Sequence, residues 1–139
     1  MLIRPFTETD TDSVVALWEA SGLTRPWNDP RKDIARKLEV QRELFLVGEL
    51  GGRVVATAMA GYEGHRGWVN YLAVDPAERG AGHGRAIMAE VERLLTERGC
   101  PKLNLQVRSD NTQALEFYRA LGYSIDAAVS LGKRLIPDA

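Results

Sequence analysis

The sequence holds one cysteine, no excess of basic charge and no apolar run of bilayer length, and each absence removes a class of function. A single Cys100 excludes an internal disulfide and a multi-cysteine metal site. With no histidine near it in sequence, it reads as a structural residue rather than a nucleophile. A formal net charge of −1 leaves no electrostatic footprint for nucleic acid and no polybasic arm for a membrane surface. The longest apolar runs fall far short of a span. Met1–Phe6 lacks the organisation of a signal peptide, so a reducing cytoplasm is the expected location. No internal repeat, low-complexity tract or linker is visible. What is there, 139 residues with 45% apolar and 27% charged, suits one domain over residues 1–139 that buries about two-thirds of its unfolded surface.

The pattern along the chain alternates strands and helices. Leu2–Arg4 is a short strand stopped by Pro5. Thr9–Ser21 is a helix with Val14, Leu17 and Trp18 on one face; Thr9, Asp10 and Thr11 are its cap candidates, and Gly22 follows its end. Asp29-Pro30 opens a second helix that runs to about Val40. Leu44–Leu50 and Val54–Tyr62 are strands joined by Gly51-Gly52, and Trp68–Val74 is the next strand. Ile87, Val91, Leu94 and Leu95 form a helical stripe ended by Gly99. Lys102–Arg108 alternates as a strand, and Asp110 or Asn111 caps a helix carrying Ala114, Leu115, Tyr118 and Leu121. Tyr123–Asp126 and Ala128–Leu131 close the chain as two short strands. The expected class is α/β: a mixed central sheet in the order β-α-α-β-β-β-α-β-α-β-β, with helices on both faces.

Between the strand ending at Val74 and the following helix lies Asp75-Pro76-Ala77-Glu78-Arg79-Gly80-Ala81-Gly82-His83-Gly84-Arg85. Glycines at alternate positions let the backbone turn tightly and approach an anion. The free N–H groups and dipole of the next helix favour negative charge there. A phosphorylated small molecule is the expected ligand. The register does not give G-x-G-x-x-G for a dinucleotide fold, and no G-K-[ST] follows for a P-loop.

Arg79-x-x-Gly82-x-Gly84 after an apolar strand and Asp-Pro resembles the acetyl-CoA motif of the GNAT superfamily of N-acetyltransferases. Asn111-x-x-Ala114-x-x-x-Tyr118-x-x-x-Gly122-Tyr123 is similar to the second half of that family's pattern. The resemblance covers essentially the whole chain. Residues 25–30, 61–67, 98–102 and 131–135 also resemble the small bacterial YpeA-type members.

This resemblance implies acetyl-CoA as co-substrate and a primary amine, on a small molecule, peptide or protein, as acceptor. It implies that backbone N–H groups of Arg79, Gly80, Ala81, Gly82, His83, Gly84 and Arg85 hold the pyrophosphate. The strand before the loop would splay from the strand at 102–107. Backbone donors near Leu72, Ala73 or Val74 would then face the thioester carbonyl, an effect worth about 3 kcal/mol per donor in oxyanion holes. From spacing alone Tyr118 is a core tyrosine; the resemblance makes it the general acid for the leaving thiolate. Asn111 would touch the cofactor, serve as an N-cap, or do both.

Histone-type relatives carry a glutamate near the position of Trp68, where this strand has no carboxylate. Relatives that acetylate protein N-termini carry one at the position of Gln106, an amide here. Glu63 is therefore the base candidate, acting directly or through water, with His65 as the lesser alternative and a solvated loop acid as the plain reading of Glu63. Trp27 and Asn28 lie where the family borders its acceptor site, although Trp27 also suits a core plug and Asp29 an N-cap. No metal is implied. Homodimers are common in the family, but no feature of the sequence fixes an interface. Two rivals stand beside the enzyme: a non-catalytic acetyl-CoA-binding or sensor module on the same fold, and a nucleotide-binding protein taking ATP or NAD.

Overall fold

Five strands, β1 (Leu2–Pro5), β2 (Phe45–Leu50), β3 (Arg53–Tyr62), β4 (Gly67–Val74) and β5 (Leu103–Leu105), form one sheet in the order β1-β2-β3-β4-β5. The coordinates are a computed structural model describing residues 1–138. The α-helices are α1 (Thr11–Ala20), α2 (Pro30–Leu38), α3 (His83–Glu97) and α4 (Thr112–Ala120). The first three strand pairings are antiparallel and β4–β5 is parallel, with α3 as the crossover, so the sheet is mixed as expected. Residues 1–105 with Asp138 make one compact unit, and residues 106–137, which contain α4, make a second.

Local chemistry explains most boundaries. The β2–β3 hairpin turns on Gly51 and Gly52, both left-handed at φ +59° and +77°. Asp29 caps α2 by accepting the Arg31 N–H at 2.9 Å, with Pro30 as the first helical residue. The start of α1 differs from expectation. A 3-10 turn over Glu8–Asp10 precedes it, and Asp10 does not cap it. Its buried carboxylate instead accepts two bonds from the Arg4 guanidinium, at 2.8 and 2.9 Å, and one from the Thr7 N–H at 2.8 Å. The Arg4 bonds hold it below the usual carboxylate range.

The first unit buries side chains on both faces of the sheet. On one, Val14, Leu17 and Trp18 of α1 and Ile34 of α2 meet Phe6, Phe45, Val47 and Met59. Phe6 stacks on Phe45 at 4.4 Å. Strand alternation turns Leu46, Ala58 and Ala60 to the opposite face, where Ile87, Met88, Val91 and Leu95 of α3 are buried. Burial of each large aliphatic or Phe side chain contributes about 1.5–3 kcal/mol. Gly67 opens β4 because a Cβ there would lie 2.8 Å from Cys100 Sγ and 2.9 Å from Leu95 Cδ1. Cys100 is thus a packing residue.

The expected ending is corrected. Tyr123–Asp126 and Ala128–Leu131 do not form strands, and the sheet stops at β5, itself shorter than Lys102–Arg108. A period-two pattern specifies a strand only when a neighbouring ladder takes its N–H and C=O groups. These residues have no such ladder, and Ile125, Val129 and Leu131 are 71–92% exposed.

Candidate active site

The end of β4 is built to stop sharply. The Asp75 N–H bonds to Val55 O at 2.8 Å, and its carboxylate accepts the Ala77 N–H at 2.9 Å. A 3-10 turn, Pro76–Glu78, follows, and Arg53 of β3 reaches Asp75 at 3.2 Å and Glu78 at 3.0 Å. Arg79 to Gly82 are exposed, with Gly80 and Gly82 left-handed at φ +86° and +83°. The first bond of α3 runs from Ala86 N–H to Gly82 O, at 3.0 Å. The N–H groups of His83, Gly84 and Arg85 therefore precede any helical acceptor. No side chain caps this terminus and its first turn has no acid. By contrast, Asp29 caps α2, and Asn111 caps α4 by accepting the Ala114 N–H at 3.1 Å. Among the described residues, neither Arg79 nor Arg85 is ion-paired. The His83 Nε2 atom is buried without a hydrogen-bond partner.

The β4–β5 ladder covers only the first part of β4. Only Gly67, Trp68 and Val69 pair with Leu103, Asn104 and Leu105, so Leu72, Ala73 and Val74 lie beyond the last pair. β4 is also bulged there. Thr57 faces Ala73 and Met59 faces Asn70, so Ala58 opposes both Tyr71 and Leu72. Tyr71 carries the bulge at φ +53°. Its hydroxyl donates to Asp33 Oδ2 at 2.6 Å and accepts from Asn28 Nδ2 at 3.0 Å. Burial, and then the Asp33 carboxylate, push the Tyr71 phenol pKa above its ordinary value.

The structure thus brings Leu72–Val74 and Arg79–Arg85 to one end of β4. Glu63 sits at the other end, across an eight-residue strand about 25 Å long. Its Oε1 accepts the N–H groups of both His65 and Arg66, closing the β3–β4 turn. These two bonds hold the exposed carboxylate below its usual pKa. Trp27 is 60% exposed and so is no core plug. The Asn28 amide turns inward to Asp33 and Tyr71. In the second unit, Tyr118 is half-buried on α4, with its ring edge-on to Phe117 at 5.0 Å and to Tyr123 at 5.8 Å. Burial pushes its pKa up to about 12, so the hydroxyl keeps its proton at neutral pH. Asp33 and Tyr71 were missed in the sequence. A left-handed tyrosine leaves no composition or periodicity signal.

Comparison with known proteins covers nearly the whole chain. The model of the Acetyltransferase (GNAT) family matches residues 12–123. Acetyltransferase YE1169 of Yersinia enterocolitica is 49% identical over 138 residues, 99% of this chain and 98% of the relative. Among solved structures, Ard1 from Thermoplasma volcanium is similar with TM-score 0.79 and 29% identity, covering 91% of this chain and 84% of that one. The ribosomal-protein-S18-alanine N-acetyltransferase of Escherichia coli is similar with TM-score 0.73 and 26% identity, covering 87% and 76% respectively.

Proposed function

The chain belongs to the acetyltransferase (GNAT) family and is an acyltransferase of that family; on that premise we propose that it moves the acetyl group of acetyl-CoA directly to a primary amine while both substrates are bound. The observation that carries this reading is the open start of α3. Donors at His83–Arg85 and the exposed Arg79–Gly82 loop lie next to the stretch of β4 that β5 leaves uncovered. A helix start with free donors, no acid and two unpaired arginines is suited to a pyrophosphate. The family match over residues 12–123 runs through both units, which supports reading residues 1–139 as one acetyltransferase domain acting in the cytoplasm.

In this reading the amine nitrogen attacks the thioester carbon, and a backbone N–H at Leu72, Ala73 or Val74 stabilises the charge that develops on the carbonyl oxygen. The carbon–sulfur bond breaks, and Tyr118, a neutral phenol whose pKa burial raises further, donates to the leaving thiolate. Asn111 contacts the cofactor while capping α4. Glu63, the base expected from the sequence, closes the turn at the opposite end of β4 and lies out of one-water reach of a thioester at Leu72–Val74, so in this reading the amine proton passes to solvent. Trp27 and Asn28 border the acceptor. A peptide with an N-terminal alanine is the first acceptor to try, since a relative of 26% identity is named for that activity.

Thermal unfolding with acetyl-CoA, CoA, ATP and NAD added separately tests the premise. A ligand at 100 times its dissociation constant adds about 2.7 kcal/mol. Selective stabilisation by the CoA compounds supports the reading, and an amine screen for thiol release then separates an enzyme from a sensor that binds without turnover. Stabilisation by ATP or NAD alone overturns it.

A further inference from the structure

Tyr71 occupies a conformation that a bulky L-residue rarely adopts, and such backbone persists only where its surroundings over-determine it. Here they do so from four elements. The ring stacks on Trp18 of α1 at 3.8 Å and 14°. The carbonyl accepts the Thr57 hydroxyl of β3 at 2.8 Å, and that hydroxyl in turn accepts the Trp18 indole N–H at 2.9 Å. The phenol is held by Asp33 of α2 and by Asn28 of the α1–α2 connection. Asp33 is itself fixed by Arg36 at 3.0 Å. Ring, carbonyl and hydroxyl are thus each tied to a different neighbour, and all three ties converge on the one residue that breaks the β3–β4 register.

We infer that Tyr71 is a positioning residue: its hydroxyl, clamped by Asp33 and Asn28, holds the left-handed bulge that directs the backbone donors of Leu72–Val74 toward the thioester carbonyl. The inference rests on the acetyl-CoA reading above and deepens it. The bulge sets the orientation of the peptide between Tyr71 and Leu72, and hence of the Leu72 N–H. Thr57 and Trp18 hold the near side of the residue. The phenol hydrogen-bonds to the α1–α2 connection and to α2, so those segments set the donor geometry through Tyr71.

The test compares backbone amide shifts of the full ¹⁵N-labelled chain titrated with acetyl-CoA and with CoA, which lacks the thioester carbonyl. In the wild type the Leu72–Val74 amides should differ between the two ligands. Tyr71→Phe keeps the ring on Trp18 and removes the hydroxyl. It should bind CoA with unchanged affinity and lose most of that difference. Asp33→Ala should behave the same way, whereas Asp33→Asn, which retains an acceptor for the phenol, should keep the difference. A wild-type chain that binds both ligands with no difference at these amides overturns the inference. So does a Tyr71→Phe chain that keeps the full difference, or one that loses CoA affinity to the same extent. A wild-type chain that binds neither ligand instead overturns the cofactor reading itself, and this inference with it.

Discussion

The two ends of β4 both gather backbone N–H groups, and they satisfy them in opposite ways. At the β3–β4 turn the Glu63 carboxylate takes the N–H groups of His65 and Arg66, so the turn closes on a charge that the chain itself supplies. At the far end the N–H groups of His83, Gly84 and Arg85 meet neither a helical acceptor nor a side-chain cap. Backbone donors are obligatory hydrogen-bonding groups, so a turn with its own carboxylate is complete as structure. A helix start without one is left to water or to an anion from outside. The same sequence chemistry therefore makes one end of the strand a fastening and leaves the donors of the other end open.

The largest expected effect comes from breaking the open end. Gly82→Val places a β-branched residue at φ +83°, where left-handed backbone costs an L-residue about 1–2 kcal/mol. It also adds a branched side chain directly before the open N–H groups of α3, where the proposed pyrophosphate would sit. Losing two charge-assisted hydrogen bonds, at about 1.5–3 kcal/mol each, should weaken acetyl-CoA binding on the order of 100-fold or more, as read by titration calorimetry. Gly52→Ala at φ +77° carries similar backbone strain in a turn that has no ligand, and should leave the affinity unchanged. Equal losses in the two variants would reduce the glycine loop to a stability element.

Next in size is Tyr118→Phe, which leaves the glycine loop intact and removes the proposed proton donor. Turnover should fall about 100-fold with little change in acetyl-CoA affinity. Because burial pushes the Tyr118 pKa up to about 12, the acid form should persist at mildly alkaline pH, and its loss should not limit turnover near pH 9. A wild-type alkaline limb near pH 9 would assign that limb to another group, and wild-type turnover in the variant would end the assignment of Tyr118 as acid.

The glycine loop was more legible in the sequence than its setting. Alternate glycines after Asp75-Pro76 and an apolar strand announce a turn into a helix start, because φ above zero and free N–H groups are local properties. Asp29 and Asn111 were legible as caps for the same reason. Three things were not. Asp10 reads as a helix cap but is taken by Arg4 from another element. Residues 123–131 alternate like strands but have no ladder to join. The bulge at Tyr71 depends on Trp18, Asp33, Asn28 and Thr57, residues up to 53 positions away in the chain. Local patterns report local hydrogen bonding; competition for a charge or a ladder is decided by tertiary partners.

Glu63→Gln breaks the fastening. The folded pKa of Glu63 lies below its ordinary value of 4.5, so the charge stabilises the fold above that pH, and the stabilisation is lost as pH falls through the folded value. The melting temperature of Glu63→Gln should therefore lie below that of the wild type at pH 7, and the two should converge in acid. Because Glu63 lies at the far end of β4 from Leu72–Val74, turnover of the folded variant at pH 7 should change little, and a fall of about tenfold or more would restore Glu63 as the base. A variant with a lowered melting temperature and full turnover would leave Glu63 as a turn former alone.

The smallest effect should come from Arg53→Ala, and it asks what keeps the open end open. Arg53 is exposed, and its pairs with Asp75 and Glu78 belong to a class worth up to about 1 kcal/mol each in dilute salt. Two bonds independent of Arg53, from Asp75 N–H to Val55 O and from Ala77 N–H to the Asp75 carboxylate, still hold the turn in the variant. Affinity for acetyl-CoA should thus fall only a few-fold, by about the energy of one such pair, and the difference should shrink at 1 M salt, where the Debye length is about 3 Å. A loss as large as that of Gly82→Val would mean that β3, through one side chain, presents the loop. A few-fold loss would mean that the backbone of the turn itself does so, as the closed turn at Glu63 does with a carboxylate of its own.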